Sequence, residues 1–128
     1  MHPEKNISFL DLADQHKVNA DKKLIGRIFN NIVLNAFQAM HKAERPKLQI
    51  ELTNTENYIL ISFADIGMGI SDEIKEKVFV PNFSTKNAGS GIGLAIAKRG
   101  IEHAGGDIWF ESEEGKGTVF YIKLPTIG

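Results

Sequence analysis

The chain has 128 residues, 42% of them hydrophobic, enough to bury one core and too few for two ordinary domains. Charged residues make up 24% and nearly cancel to a net charge of -1, so no overall field draws in nucleic acid or an anionic membrane; without cysteine there is no disulfide framework and no thiolate metal site. No apolar run reaches the ~18 residues of a membrane span, and the opening MHPEKNISF lacks the apolar core of a signal peptide, so a cytoplasmic domain is expected.

Short strands are predicted at NISFL and HKVNA, with residues 11–15 as a turn-rich connector. A helix is predicted from Asp21, which can cap it. Leu24, Ile28, Ile32, Ala36 and Met40 form one apolar column and Ile25, Phe29, Val33 and Phe37 a second, together one broad buried stripe. ERP at 44–46 breaks this helix. KLQIELT and YILISFAD alternate around the polar NTEN as a hairpin does, with Leu48, Ile50 and Leu52 sharing one face and Ile59, Ile61, Phe63 and Asp65 sharing one face. DIGMGI is a glycine-rich turn, and SDEIKEKVF reads as a short helix capped by Ser71 or Asp72. Residues 80–90 show no periodicity and are long for a connector, which predicts a functional loop or lid. Ile92 to Ala104 reads as a second long helix closed by Gly105 and Gly106, and DIWFES and GTVFYIKL form a final hairpin around EEGKG. The order predicts an α+β domain, a mixed and mainly antiparallel sheet covered on one face by about three helices.

Three features are hard to explain as packing. Alternation puts Asp65 beside Ile61 and Phe63, where an unpaired carboxylate costs several kcal/mol. It either opens the turn by accepting N–H bonds from Gly67 or Met68, or accepts a hydrogen bond from a ligand amine. Asn31 and Asn35 sit one above the other at the edge of the apolar stripe. Each is either an ordinary solvated asparagine or an amide oxygen placed to ligate Mg²⁺, which takes its remaining oxygens from water and substrate phosphates. GSGIG fits neither a P-loop nor a dinucleotide fingerprint. Its glycines form a hinge, or they bring backbone N–H groups and a helix N-terminus close to an anion.

NNIVLNAFQA, DIGMGI, VFVPNFSTK, GSGIGLAIAK and GTVF occur in the order and at about the spacing of the ATP-binding catalytic domain of sensor histidine kinases, and the chain closely resembles that family within the gyrase-like ATPase superfamily. The resemblance runs from about Asn6 to Pro125. It implies a two-layer α/β sandwich, the Bergerat fold, with ATP and Mg²⁺ as ligands. It also implies that residues 1–128 are a single domain, part of a larger kinase. Asn35 then ligates Mg²⁺ and Asp65 receives the adenine amino group, with Thr118 in the hydrogen-bond network around it. Gly67 and Gly69 let the chain turn against the adenine, with Ile70 as an apolar neighbour. Gly89, Gly91 and Gly93 line the phosphates, and Ser90, Ile92 and Leu94 of the same stretch belong to the ATP site. Residues from about Val80 to Ser90 resemble the mobile ATP lid, with Phe79 and Phe83 matching its anchoring aromatics and Lys86 as a phosphate contact or a solvated lysine.

Two departures from the family stand out. Gln38 occupies a position where many members carry a basic residue that reaches a phosphate, so that contact is missing or comes from Lys86. Asn31 stands where gyrase-like ATPases have a glutamate that activates water; lacking a carboxylate it cannot be a general base, which favours phosphoryl transfer over hydrolysis. His2, His16, His41 and His103 all lie outside the HExxxP context of a phosphorylated helix. The resemblance therefore implies that this domain serves a histidine on its own dimerisation domain elsewhere in the parent protein, which in turn serves a response regulator. No nucleic-acid partner and no direct membrane contact by this domain are expected, although the parent can be anchored in the inner membrane. Two other readings stand beside it: a serine kinase of the anti-sigma-factor type, and a non-catalytic nucleotide-binding module of the same fold. FVPNF and GSGIGLAIAK favour the histidine kinase.

Overall fold

A computed structural model describes residues 7–13, 18, 21–80 and 91–126, and within them the alternating stretches become one five-stranded sheet. β1 (Ile7–Asp11) lies parallel beside β2 (Leu48–Asn54). β2 pairs antiparallel with β3 (Tyr58–Asp65), β3 with β5 (Gly117–Pro125), and β5 with β4 (Asp107–Glu113). The register lines up the residues of the helix-covered face in rows across the sheet. Asp11, Leu52, Ile61, Ile122 and Ile108 form one row and Phe9, Ile50, Phe63, Phe120 and Phe110 the next. The third row, Ile7, Leu48, Asp65, Thr118 and Ser112, turns polar over its last three strands.

The helices cover that face. α1 (Lys22–Ala39) starts on Asp21, whose Oδ1 accepts from the N–H groups of Lys23 at 2.9 Å and Leu24 at 3.4 Å, satisfying two donors that a helix start leaves open. Ile28, Ile32, Ala36 and Met40 are buried, with Ile25, Phe29, Val33 and Phe37 packed around them. Phe29 meets Phe63 edge-on, with ring centroids 5.6 Å apart. Lys22 and Lys23 oppose the helix dipole at about 0.3–1 kcal/mol each, whereas a fully buried isoleucine contributes about 1.5–3 kcal/mol. Packing, not end charge, therefore holds α1. α3 (Gly91–His103) lies against α1, burying Leu94, Ala97 and Ile101. Its end is a Schellman arrangement: the Gly106 N–H donates to Ile101 O at 2.9 Å, the Gly105 N–H to Glu102 O at 3.0 Å, and Gly105 takes a φ of +84°.

Several boundaries differ from the sequence reading. α1 stops at Ala39, well before ERP, because partners take its last carbonyls. The Met40 N–H makes the last i→i−4 bond, to Ala36 O at 3.1 Å, and beyond it His41 Nδ1 lies 2.9 Å from Gln38 O. Ala39 O accepts the Met68 N–H at 3.0 Å from the turn after β3. α2 (Asp72–Lys75) is only the first part of the SDEIKEKVF stretch, and Ser71 holds its N-cap position without a side-chain cap bond. α3 starts one residue earlier than expected and ends at His103. Of HKVNA only Val18 lies among the described residues, making an isolated antiparallel bridge with Thr126. Among the described residues no helix is long and apolar enough to cross a membrane.

Candidate functional site

The polar end of the third row meets the end of α1 through the DIGMGI turn. Asp65 ends β3 and is 9% exposed. Its Oδ1 accepts from the Gly67 N–H at 2.8 Å and the Thr118 N–H at 3.2 Å. Both bonds land on one oxygen, which leaves Oδ2 as the atom open to a further donor. Burial pushes the carboxyl above the usual aspartate range, and the two N–H bonds oppose that rise. Of the two turn donors foreseen for Asp65, Gly67 is used; the Met68 N–H goes to Ala39 O instead.

Protein backbone closes on the turn from both sides. A Cβ at Gly67 would lie 2.6 Å from Ala39 O, in α1. Gly69 has a φ of +73°, and a Cβ there would lie 2.3 Å from Glu113 O, at the end of β4. The Gly115 N–H adds a bond to Met68 O at 2.7 Å. Glycine is thus required at 67 and 69 by the chain's own neighbours, whatever else the turn contacts.

Ser112 was not among the expected site residues, yet it ties this region together. Its Oγ accepts the half-buried Ile70 N–H at 2.7 Å, and lies 3.0 Å from Gly117 O and 2.7 Å from Thr118 Oγ1. Its carbonyl accepts from Lys75 Nζ at 2.7 Å. Lys75 also pairs with Asp72 at 2.9 Å and holds that carboxyl below the usual range. The alternation of DIWFES, which turns Ser112 inward with Ile108 and Phe110, is the signal in the sequence that marks it.

On α1, Asn31 and Asn35 are half-buried and form no side-chain hydrogen bond among the described residues. Gln38 lies nearer the docked turn, its Oε1 buried and without a donor among the described residues. Phe79 packs against the middle row of the sheet, its ring centroid 5.8 Å from Phe110 and 6.4 Å from Phe120, with Lys98 Nζ of α3 5.2 Å from the ring. Leu94 is buried in the core, and Gly91, Ile92 and Gly93 make the first turn of α3. Phe83, Lys86, Gly89 and Ser90, with the rest of the expected lid from residue 81 onward, lie outside the described residues. The structure therefore joins Asp65, Gly67, Ile70 and Thr118 through Ser112 in one bonded corner, with Gly69 in the same turn and Asn31, Asn35 and Gln38 on the helix to which that corner is docked.

Comparisons with known proteins point the same way. A family model described as histidine kinase-, DNA gyrase B-, and HSP90-like ATPase matches residues 20–127. Sensor histidine kinase ZraS of Salmonella typhimurium is 36% identical over 111 residues, covering 87% of this chain and 24% of that protein. Sporulation kinase E of Bacillus subtilis is 35% identical over 117 residues, covering 91% of this chain and 16% of that protein. The chain spans less than a quarter of the length of either relative. Among solved structures, the nucleotide-free catalytic domain of histidine kinase ThkA matches with a TM-score of 0.77 at 36% identity, over 96% of this chain and 81% of that one.

Proposed function

We propose that this chain, which belongs to the histidine kinase-, DNA gyrase B- and HSP90-like ATPase family as a catalytic domain of the sensor histidine kinase kind, binds Mg²⁺-ATP and donates its γ-phosphoryl group to a histidine on a partner domain. The observation that carries this reading is the buried Asp65, whose internal bonds occupy Oδ1 alone. A carboxylate oxygen of a buried residue with no protein donor among the described residues suits a ligand N–H, and the adenine amino group supplies one.

The other residues take roles consistent with their places. The Gly67–Ile70 turn and Thr118 form the base end of the pocket, and Phe79 supports the segment that leads toward the lid. The first-turn N–H groups of α3 face the phosphates with the positive end of the helix dipole. Asn35, with Asn31 beside it, offers amide oxygens for Mg²⁺, a cation that takes its remaining oxygens from water and nucleotide phosphates. When bound, Mg²⁺ neutralises charge on those phosphate oxygens. Gln38 buries its amide oxygen, leaving Nε2 as the end that donates to a phosphate.

Neither Asn31 nor Asn35 can act as a base toward water, so the chain's contribution to transfer is positioning and charge stabilisation. The acceptor imidazole attacks the γ-phosphorus, the bond to the β–γ bridging oxygen breaks, and ADP departs. His41 and His103 are exposed at helix ends and have no part in this scheme. Incubation with γ-labelled ATP, with and without the parent protein's histidine-bearing helices, tests it. Label on a histidine of the added helices is expected, and label on no histidine in either mixture refutes the transfer. For Asn35→Ala, calorimetry is expected to show loss of the Mg²⁺-dependent part of ATP binding while Mg²⁺-free binding persists; equal loss of both would make Asn35 structural.

A further inference from the structure

The Ser112 hydroxyl faces three partners but carries one proton. Its Oγ lies 2.7 Å from the Ile70 N, 3.0 Å from Gly117 O and 2.7 Å from Thr118 Oγ1. A serine hydroxyl offers one donor and two lone pairs. The Ile70 N–H takes one lone pair. Gly117 O only accepts, so the proton between it and Oγ has to be the serine's own. The remaining lone pair faces Thr118 Oγ1, which therefore donates its proton to Ser112. This assignment satisfies all three contacts. In the reverse assignment, with Ser112 donating to Thr118, Gly117 O and Ser112 Oγ would face each other with lone pairs alone. Thr118 is 4% exposed, and with its proton committed it keeps only lone pairs for any other group. Asp65, its cross-strand neighbour in the same row, is an acceptor as well, with Oδ2 uncommitted.

We propose that Ser112 is a positioning residue that sets the hydrogen-bond polarity of this corner, making Asp65 and Thr118 a donor-free pair that admits a purine bearing an exocyclic amine and rejects one bearing a carbonyl oxygen there. The proposal rests on the nucleotide reading of the site and deepens it by naming the residue that enforces the choice of base. An amine brings two protons to a corner made of acceptors. A carbonyl brings lone pairs against lone pairs, and a committed hydroxyl cannot rotate to relieve the mismatch.

Calorimetric binding of ATP and inosine triphosphate, whose bases carry an amine and a carbonyl at the position in question, tests this. The wild-type chain is expected to prefer ATP. In Ser112→Ala the Thr118 proton is released and can turn to a carbonyl, so the ATP-to-inosine preference is expected to shrink by about tenfold, the worth of one hydrogen bond. A purely structural serine would weaken both nucleotides equally; an unchanged ratio in Ser112→Ala overturns the proposal. Thr118→Val checks the same wiring from its other end, with the bonds of Ser112 to the Ile70 N–H and Gly117 O left in place. Loss of an acceptor-only hydroxyl is expected to weaken ATP more than the inosine nucleotide, and the opposite order, or an equal loss, also overturns it. Ser112→Thr, which keeps the hydroxyl, is expected to retain the wild-type ratio, and a collapsed ratio there counts against the proposal. Asp65→Asn separates the two levels. If ATP binding is indifferent to that change, the nucleotide reading falls and the proposal with it; if Asp65→Asn abolishes binding while Ser112→Ala leaves the ratio unchanged, the proposal alone falls.

Discussion

The two N–H groups that converge on Oδ1 of Asp65 would find the same acceptor in an asparagine. Asp65→Asn thus preserves the turn and changes only the outer atom, where Nδ2 replaces Oδ2 and presents donors to the adenine amine. ATP affinity is expected to fall by about five- to 150-fold, on the order of 1–3 kcal/mol for a hydrogen bond replaced by a clash of donors, with no loss of thermal stability at neutral pH; calorimetry and thermal denaturation measure the two separately. The pH dependence has opposite signs in the two assays. Burial raises the folded-state pKa of Asp65 above its ordinary value, so the folded chain holds this proton more tightly than the unfolded one. The stability due to this group is full below the ordinary value and is lost as pH rises through the raised one. Nucleotide affinity moves the other way, growing as the carboxylate ionises, and Asp65→Asn should abolish both slopes. Asp65 could be picked out from the sequence because alternation placed a charge among apolar residues. Ser112 sits inward by the same parity, but an inward serine costs far less than an inward carboxylate and draws less notice.

At the scale of elements, starts were easier to read than ends. Asp21 announces α1 because a cap acts within three residues of itself. Its end depends on Ala39 O finding the Met68 N–H, a partner beyond the intervening hairpin that no local pattern encodes. DIGMGI was recognisable as a turn, but not the two backbones it docks against. Gly69→Ala tests that docking: left-handed φ and a Cβ 2.3 Å from Glu113 O should together cost on the order of 2–4 kcal/mol, seen as an earlier urea midpoint. Gly26 is the counter-case. It lies inside α1, is exposed, and has nothing within 4 Å of an added Cβ. Gly26→Ala is expected to stabilise the chain by about 0.5–1 kcal/mol and to raise its thermal midpoint by about 2–4 °C. A neutral or negative effect would mean that this surface of α1 has a role that packing does not reveal.

At the scale of the molecule, the hairpins and the apolar columns were enough to foresee a mixed sheet under helices, since period-2 and period-3.6 patterns each point one way. The order of strands was not foreseeable. β5 lies between β3 and β4, and the parallel pairing of β1 with β2 joins residues separated by the whole of α1. That topology assembles the proposed site from distant parts of the chain: the end of α1, the turn after β3, and the β4–β5 hairpin. A nucleotide held there bridges all three, so its binding energy should oppose global unfolding and not only local opening. At a free ATP concentration of 100 times Kd the stabilisation is about 2.7 kcal/mol, which for a chain of 128 residues corresponds to a rise of about 10 °C in the thermal midpoint. Hydrogen exchange should then slow in β1 and β2 as well as at the Gly67, Ile70 and Thr118 amides. If slowing stops at those three amides and the midpoint does not move, the site opens independently of the core, and the nucleotide braces a corner of the fold without bracing the whole.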